Sequence, residues 1–99
     1  MIRVNITPNE ITIKGHSGYA TEGYDIVCAS VSSMVTLSIN LIEIFGLKDN
    51  IVAKVQSGDA KITVVKDDEK IEKILNNLIF SLKDLELQYP KYLQINEKW

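Results

Sequence analysis

The sequence predicts one α+β domain spanning residues 1–99, a two-layer fold in the order ββαββαβ. A mostly antiparallel sheet carries two helices packed on one face. Three observations carry that prediction. Short runs around residues 2–7, 11–14, 52–56 and 61–65 have strand character. Two long segments, 26–45 and the stretch between Asp68 and Pro90, have helical character. No linker or low-complexity tract interrupts the 99 residues, a length that suits one compact domain with one modest core.

Ile2, Val4 and Ile6 alternate with Arg3, Asn5 and Thr7, the period of a half-buried strand. Thr7-Pro8-Asn9-Glu10 is a turn, with Pro8 presetting φ. Ile11 and Ile13 alternate with Thr12 and Lys14, so the chain returns as an antiparallel hairpin. Residues 15–24 place Gly15, Gly18 and Gly23 in ten positions without periodicity and read as a loop. Asp25 is a helix N-cap; the helix runs from Ile26 to near Phe45, with Gly46 as its C-terminal stop. Val52–Gln56 and Lys61–Val65 flank Ser57-Gly58-Asp59 as a second hairpin. Asp67 and Asp68 cap a second helix whose apolar stripe is Ile71, Ile74, Leu75, Leu78, Leu82 and Leu85. Pro90 ends it, and residues 91–98 form a last strand.

Apolar residues make up 45% and charged residues 24%, with a net charge of -2. That is a globular composition and argues against direct nucleic-acid binding, which needs clustered Lys and Arg. The lysines at 48, 54, 61, 66, 70 and 73 are interspersed with Asp and Glu, as on a solvated face. Residues 26–45 resemble a membrane span in length, but Ser30, Ser32, Ser33, Thr36, Ser38, Asn40 and Glu43 are too polar for lipid. Residues 1–10 begin directly in a strand pattern rather than a signal peptide, and a single cysteine fits a reducing compartment, so a soluble, cytoplasmic protein is expected. The first helix carries one charged residue, Glu43. Either it lies in the middle of its layer or part of it packs on a second copy of the chain.

The chain has one histidine, His16, and one cysteine, Cys28. Cys28 falls in the first turn of the first helix, where unpaired N–H groups and the macrodipole favour a thiolate, the nucleophilic form of cysteine. His16 stands where the second strand meets the glycine loop. There it can accept the thiol proton and later return it to a leaving amine. Backbone N–H groups at the helix start, that of Cys28 among them, are candidate oxyanion donors. Against this stands the common role of a lone cysteine as a small core residue and of a lone histidine as a structural one. One Cys and one His do not complete a zinc site, and no metal or cofactor is expected. An unbroken strand through His16 would point its ring away from the helices; Gly15 is where that parity can break, so the regular strand should end at or near Lys14.

Gly18 and Gly23 read as hinge or turn positions. Tyr19 and Tyr24 either line a pocket for an apolar or aromatic substrate side chain or pack the loop on the domain. Ser32, one turn beyond Cys28, shares its face. Asp25 is expected to cap the helix rather than orient the imidazole.

The segments Gly15-His16-Ser17-Gly18-Tyr19, Gly23, and Asp25-Ile26-Val27-Cys28-Ala29-Ser30-Val31-Ser32 resemble the signature of the ribosomal-processing cysteine protease family Prp. The specific part covers residues 15–32; elsewhere the similarity lies in length and element order. The resemblance implies a catalytic dyad on His16 and Cys28, with the family's aspartate and serine falling on Asp25 and Ser32. It implies a homodimer and a mobile loop over the site at residues 17–24; Gly15 and Ser17, within the matching segment, are candidate substrate-binding or supporting residues. It implies a substrate, a large-subunit ribosomal protein (number twenty-seven), whose N-terminal extension is removed after a hydrophobic, phenylalanine-containing sequence. Ser17 and Ser30 stand where alanine is also common in the family. The rival readings are a non-catalytic ribosome- or RNA-associated binding module and another thiol chemistry; redox sensing is weakened by the lack of a resolving cysteine.

Overall fold

The computed structural model describes residues 1–21 and 23–99. Strands β1 (Ile2–Thr7) and β2 (Glu10–Lys14) form the first hairpin, followed by helix α1 (Ile26–Ile44). A 3-10 turn at Lys48–Asn50 leads into β3 (Ile51–Gln56) and β4 (Asp59–Val64), then helix α2 (Glu69–Gln88) and strand β5 (Leu93–Glu97). The ββαββαβ order is as expected. The five strands form one sheet in the order β3-β4-β2-β1-β5. Three pairs are antiparallel, and β5 lies parallel to β1, with Ile2 opposite Leu93 and Val4 opposite Ile95.

Alternation does the work in the sheet. Ile2, Val4, Ile6, Ile11 and Ile13 are buried on one face, while Arg3 and Asn5 between them are exposed. Onto that face α1 packs Val27, Val31, Val35 and Ile42, and α2 packs Ile71, Leu75, Leu78, Leu82 and Leu85. The buried Ser38 donates its hydroxyl to the carbonyl of Met34, so its polarity is satisfied inside the helix.

Both helices are capped as the sequence indicates. The Asp25 carboxylate accepts from the N–H groups of Val27 and Cys28, and Asp68 accepts from that of Lys70. The second hairpin turns on two residues, Ser57-Gly58, because Asp59 already pairs with Gln56 in the ladder. The last strand begins at Leu93 rather than 91, since the Tyr92 N–H closes a turn on the carbonyl of Tyr89. A Lys83–Glu97 ion pair at 2.8 Å and the Ile95 N–H on Glu86 at 2.7 Å fasten β5 to α2.

Helix α1 is long and apolar enough to cross a membrane by length and composition, yet one side of it is core. Its other side, with Ser32, Ser33, Thr36, Leu37 and Asn40, is exposed. Leu37 is 60% and Ile44 78% exposed. The helix is therefore not enclosed within its layer. Every residue of the edge strand β3 after Ile51 is exposed as well.

β2 stops at Lys14. Gly15 has φ +98°, which breaks the strand parity where the sequence indicated it would break. The Gly15 N–H then donates to the carbonyl of Gly58 at 2.9 Å, tying the end of β2 to the β3–β4 turn. That tie sets the stage for the site.

Candidate active site

Three structural corners meet beyond Gly15: the end of β2, the β3–β4 turn and the N-terminus of α1. His16 and Cys28 both line a cavity of about 400 Å³, together with Gly18, Gly23, Asp25 and Ser32. They also share a tighter pocket of about 120 Å³, walled by Ile13, Val31, Val35, Val55 and Ala60. The imidazole lies against the β3–β4 turn, because a Cβ on Gly58 would stand 2.6 Å from its Nε2. Gly58, at φ +71°, thus supplies both the turn and the room for the ring. Among the described residues no hydrogen bond joins His16 to Cys28.

The donor on the sulfur is the Ser17 N–H, 3.3 Å from Cys28 Sγ. Ser17 is 3% exposed, and its hydroxyl donates a short bond to the Asp25 carboxylate while accepting from the Tyr19 N–H at 3.1 Å. Asp25 therefore does two jobs. One oxygen caps α1 through Val27 and Cys28 at 3.0 and 2.9 Å, and the other holds the loop through Ser17 and the Ala20 N–H. Desolvation raises the Asp25 pKa, but the Ser17 hydroxyl and the N–H groups of Cys28, Ala20 and Val27 outweigh it and lower the pKa to about 2.

That lowering fixes a pH dependence. A carboxyl whose folded pKa is depressed contributes stability above its unfolded value and loses it as pH falls through the folded value. Asp25→Ala is expected to cost about 1–2 kcal/mol near neutral pH, the usual cost of an N-cap. Its deficit against the wild type should shrink as pH falls from about 4 toward about 2. Urea unfolding across that range checks it; a deficit constant with pH would contradict the carboxylate's role.

The sequence-derived residues divide. His16, Cys28, Gly15, Gly18, Gly23, Asp25 and Ser32 gather at the two cavities. Tyr19 does not line them. Its ring packs edge-on against Tyr89 and Tyr92, with centroids 5.5 and 5.2 Å apart, so it takes the loop-packing role. Tyr24 is 79% exposed and lines neither cavity. Within the loop 17–24, residue 22 lies outside the described residues. The Cys28 N–H, a candidate oxyanion donor from sequence, is taken up by Asp25. Sequence reasoning missed Val55, Ser57 and Gly58, which come from a distant hairpin and carry no local signal beyond the turn itself. Among the described residues no three His, Cys, Asp or Glu side chains gather to hold a metal.

This geometry can support nucleophilic attack by a thiol on an extended chain. The sulfur faces an open cavity, a base lines the same cavity, and a backbone N–H sits at the sulfur.

Comparison with known proteins agrees. The family model described as cysteine protease Prp matches residues 1–94. The ribosomal processing cysteine protease Prp of Mycoplasma pneumoniae is 28% identical over 98 residues, covering 99% of this chain and 96% of that protein. A crystal structure of an essential ribosomal processing protease Prp from Staphylococcus aureus, in complex with a covalently linked product peptide, superposes with TM-score 0.89 at 28% identity. It covers 99% of this chain and 100% of that one. A Streptococcus mutans protein at 19% identity and TM-score 0.70 shares the fold. The chain belongs to the cysteine protease Prp family, and it is a cysteine protease.

Proposed function

We propose that the chain removes the N-terminal extension of a large-subunit ribosomal protein (number twenty-seven), in the cytoplasm, with Cys28 as nucleophile and His16 as base and then acid. The observation that carries this reading is the shared cavity of His16 and Cys28 at the start of α1. The Cys28 thiol gives its proton to the imidazole, and the sulfur attacks the scissile carbonyl. Collapse expels the amine, which takes the proton back from His16. Water, deprotonated by His16, then attacks the thioester, and the second product leaves with a free carboxylate. The Ser17 N–H lies at the sulfur and would turn to the oxyanion as the carbon–sulfur bond forms, whereas the Cys28 N–H is held by the Asp25 carboxylate. The 120 Å³ pocket between α1 and β4 suits one apolar side chain beside the cut, in keeping with a hydrophobic, phenylalanine-containing cleavage sequence.

Incubating the protein with the extended precursor should yield the mature form and a released peptide, read by mass spectrometry. A precursor left intact would overturn the reading. Gly58→Ala should affect chemistry more than folding. A positive φ costs alanine about 1–2 kcal/mol. The imidazole, displaced from its seat, should cut kcat/KM by a factor on the order of 10². Unchanged kinetics would show that the ring's position is not critical.

The homodimer belongs to the same proposal. The uncovered side of α1, with Leu37 and Ile44, is an apolar surface of the kind a second copy covers. Sedimentation should give twice the chain mass of 11.1 kDa, and Leu37→Glu should lower it to the monomer value. A wild-type monomer across the working concentration range would remove the dimer.

A further inference from the structure

A third cavity, of about 510 Å³, opens at the far end of β2 from His16. Its floor is the core itself, with Ile11, Ile62 and Ile71 each no more than 4% exposed. Its rim carries three carboxylates, Glu10, Asp67 and Glu72. Glu10 is answered by Lys61 at 3.5 Å. Among the described residues no salt bridge reaches Asp67 or Glu72. On the first turns of α2, Lys73 pairs with Glu69 at 3.1 Å and Lys70 lies over the ring of Phe45. The charge of Asp67 and its hydrogen bond push the Glu72 carboxyl up, a repulsion that an incoming cation would relieve.

An apolar floor under an anionic rim fits one kind of side chain. Lys and Arg lay an aliphatic stem on apolar surface and keep a cationic head at the edge. Proteins that bind ribosomal RNA are rich in both, because they neutralise phosphates. We propose that this cavity is an exosite for a Lys- or Arg-bearing segment of the mature part of the substrate, downstream of the cut. The proposal rests on the proteolytic reading above. The reach is reasonable: β2 rises about 3.4 Å per residue, so some five to eight extended substrate residues beyond the scissile bond would span it.

The chain's single tryptophan reports on the cavity. Trp99 lines it and is 71% exposed. The probe is a tryptophan-free synthetic peptide matching the first residues of the mature substrate, about ten in length so as to reach the cavity. Titrated into the full-length Cys28→Ala protein, it should shift Trp99 emission saturably and less so at high salt. In Asp67→Asn/Glu72→Gln, whose amides keep the local hydrogen bonds, affinity should fall about three- to tenfold, the scale of two exposed charge contacts. In the otherwise wild-type enzyme the same pair should raise KM for the precursor with kcat unchanged. A peptide ending just after the scissile bond should be cut as before. No emission change, equal affinity in the double variant, or equal losses on both substrates would overturn the exosite. A wild-type enzyme that cuts neither substrate would overturn the proteolytic reading instead.

Discussion

Cys28→Ala is expected to leave no measurable cleavage of the extended ribosomal protein while the fold remains intact. Without the sulfur no thioester can form, and what remains is binding and backbone donors. Removal of a catalytic nucleophile costs on the order of 10⁴–10⁶ in rate. His16→Ala should fall by roughly 10²–10⁴, the worth of a positioned proton carrier. Neither change should unfold the protein. Cys28 is half-buried at the edge of the core, and His16 is exposed. Far-UV circular dichroism and the urea midpoint should match the wild type within about 1 kcal/mol, as for substitutions outside the core. Full cleavage by Cys28→Ala would end the thiol mechanism. Full cleavage by His16→Ala alone would move the base elsewhere, and the described residues lining the main cavity include no second imidazole to take its place.

Most of the fold was legible because its elements are self-consistent in sequence. Ile2, Val4 and Ile6 declare a face, Asp25 and Asp68 declare helix starts, and Gly15 declares where β2 stops. The parallel pairing of β5 with β1 was not legible. Residues 93–97 fix neither partner nor direction; the Ile2 N–H on the carbonyl of Tyr92, and α2 carrying the chain back across the sheet, decide both. The site shows the same division. His16 and Cys28 stood out because each occurs once, and the position of Cys28 at a helix start follows from the cap before it. The wall behind the imidazole did not stand out, since Gly58 meets His16 only after two hairpins have paired. Tyr19 was open between two roles because its partners, Tyr89 and Tyr92, lie at the opposite end of the chain. Asp25 was read as a cap. Its second oxygen, on Ser17, joins the cap to the loop, and a bond between two flexible segments has no periodicity to reveal it.

Gly15→Ala should be the most destabilising change around the site. At φ +98° an L-residue is strained whatever its surroundings, at a cost of about 1–3 kcal/mol. Here the added Cβ would also stand 2.6 Å from the carbonyl oxygen of Met1, a backbone atom at the head of β1 that cannot rotate aside as a side chain does. The residue could relax only by moving the end of β2, and its N–H bond to the Gly58 carbonyl would move with it. The total is expected at about 2–4 kcal/mol, a large share of the roughly 5–15 kcal/mol that holds a small domain together. At about 4–8 °C per kcal/mol for a chain of this size, Tm should drop by about 8 °C or more. Gly18→Ala is the matched control. Its φ is +72°, but nothing lies within 4 Å of the added carbon, so only the backbone strain applies. Equal Tm losses for the two variants would show that the Met1 contact is soft. A larger loss for Gly15→Ala, with activity falling even where the protein is still folded, would tie the parity break at Gly15 to the placement of His16. The imidazole reaches the helix side of the sheet only because one residue before it has no side chain.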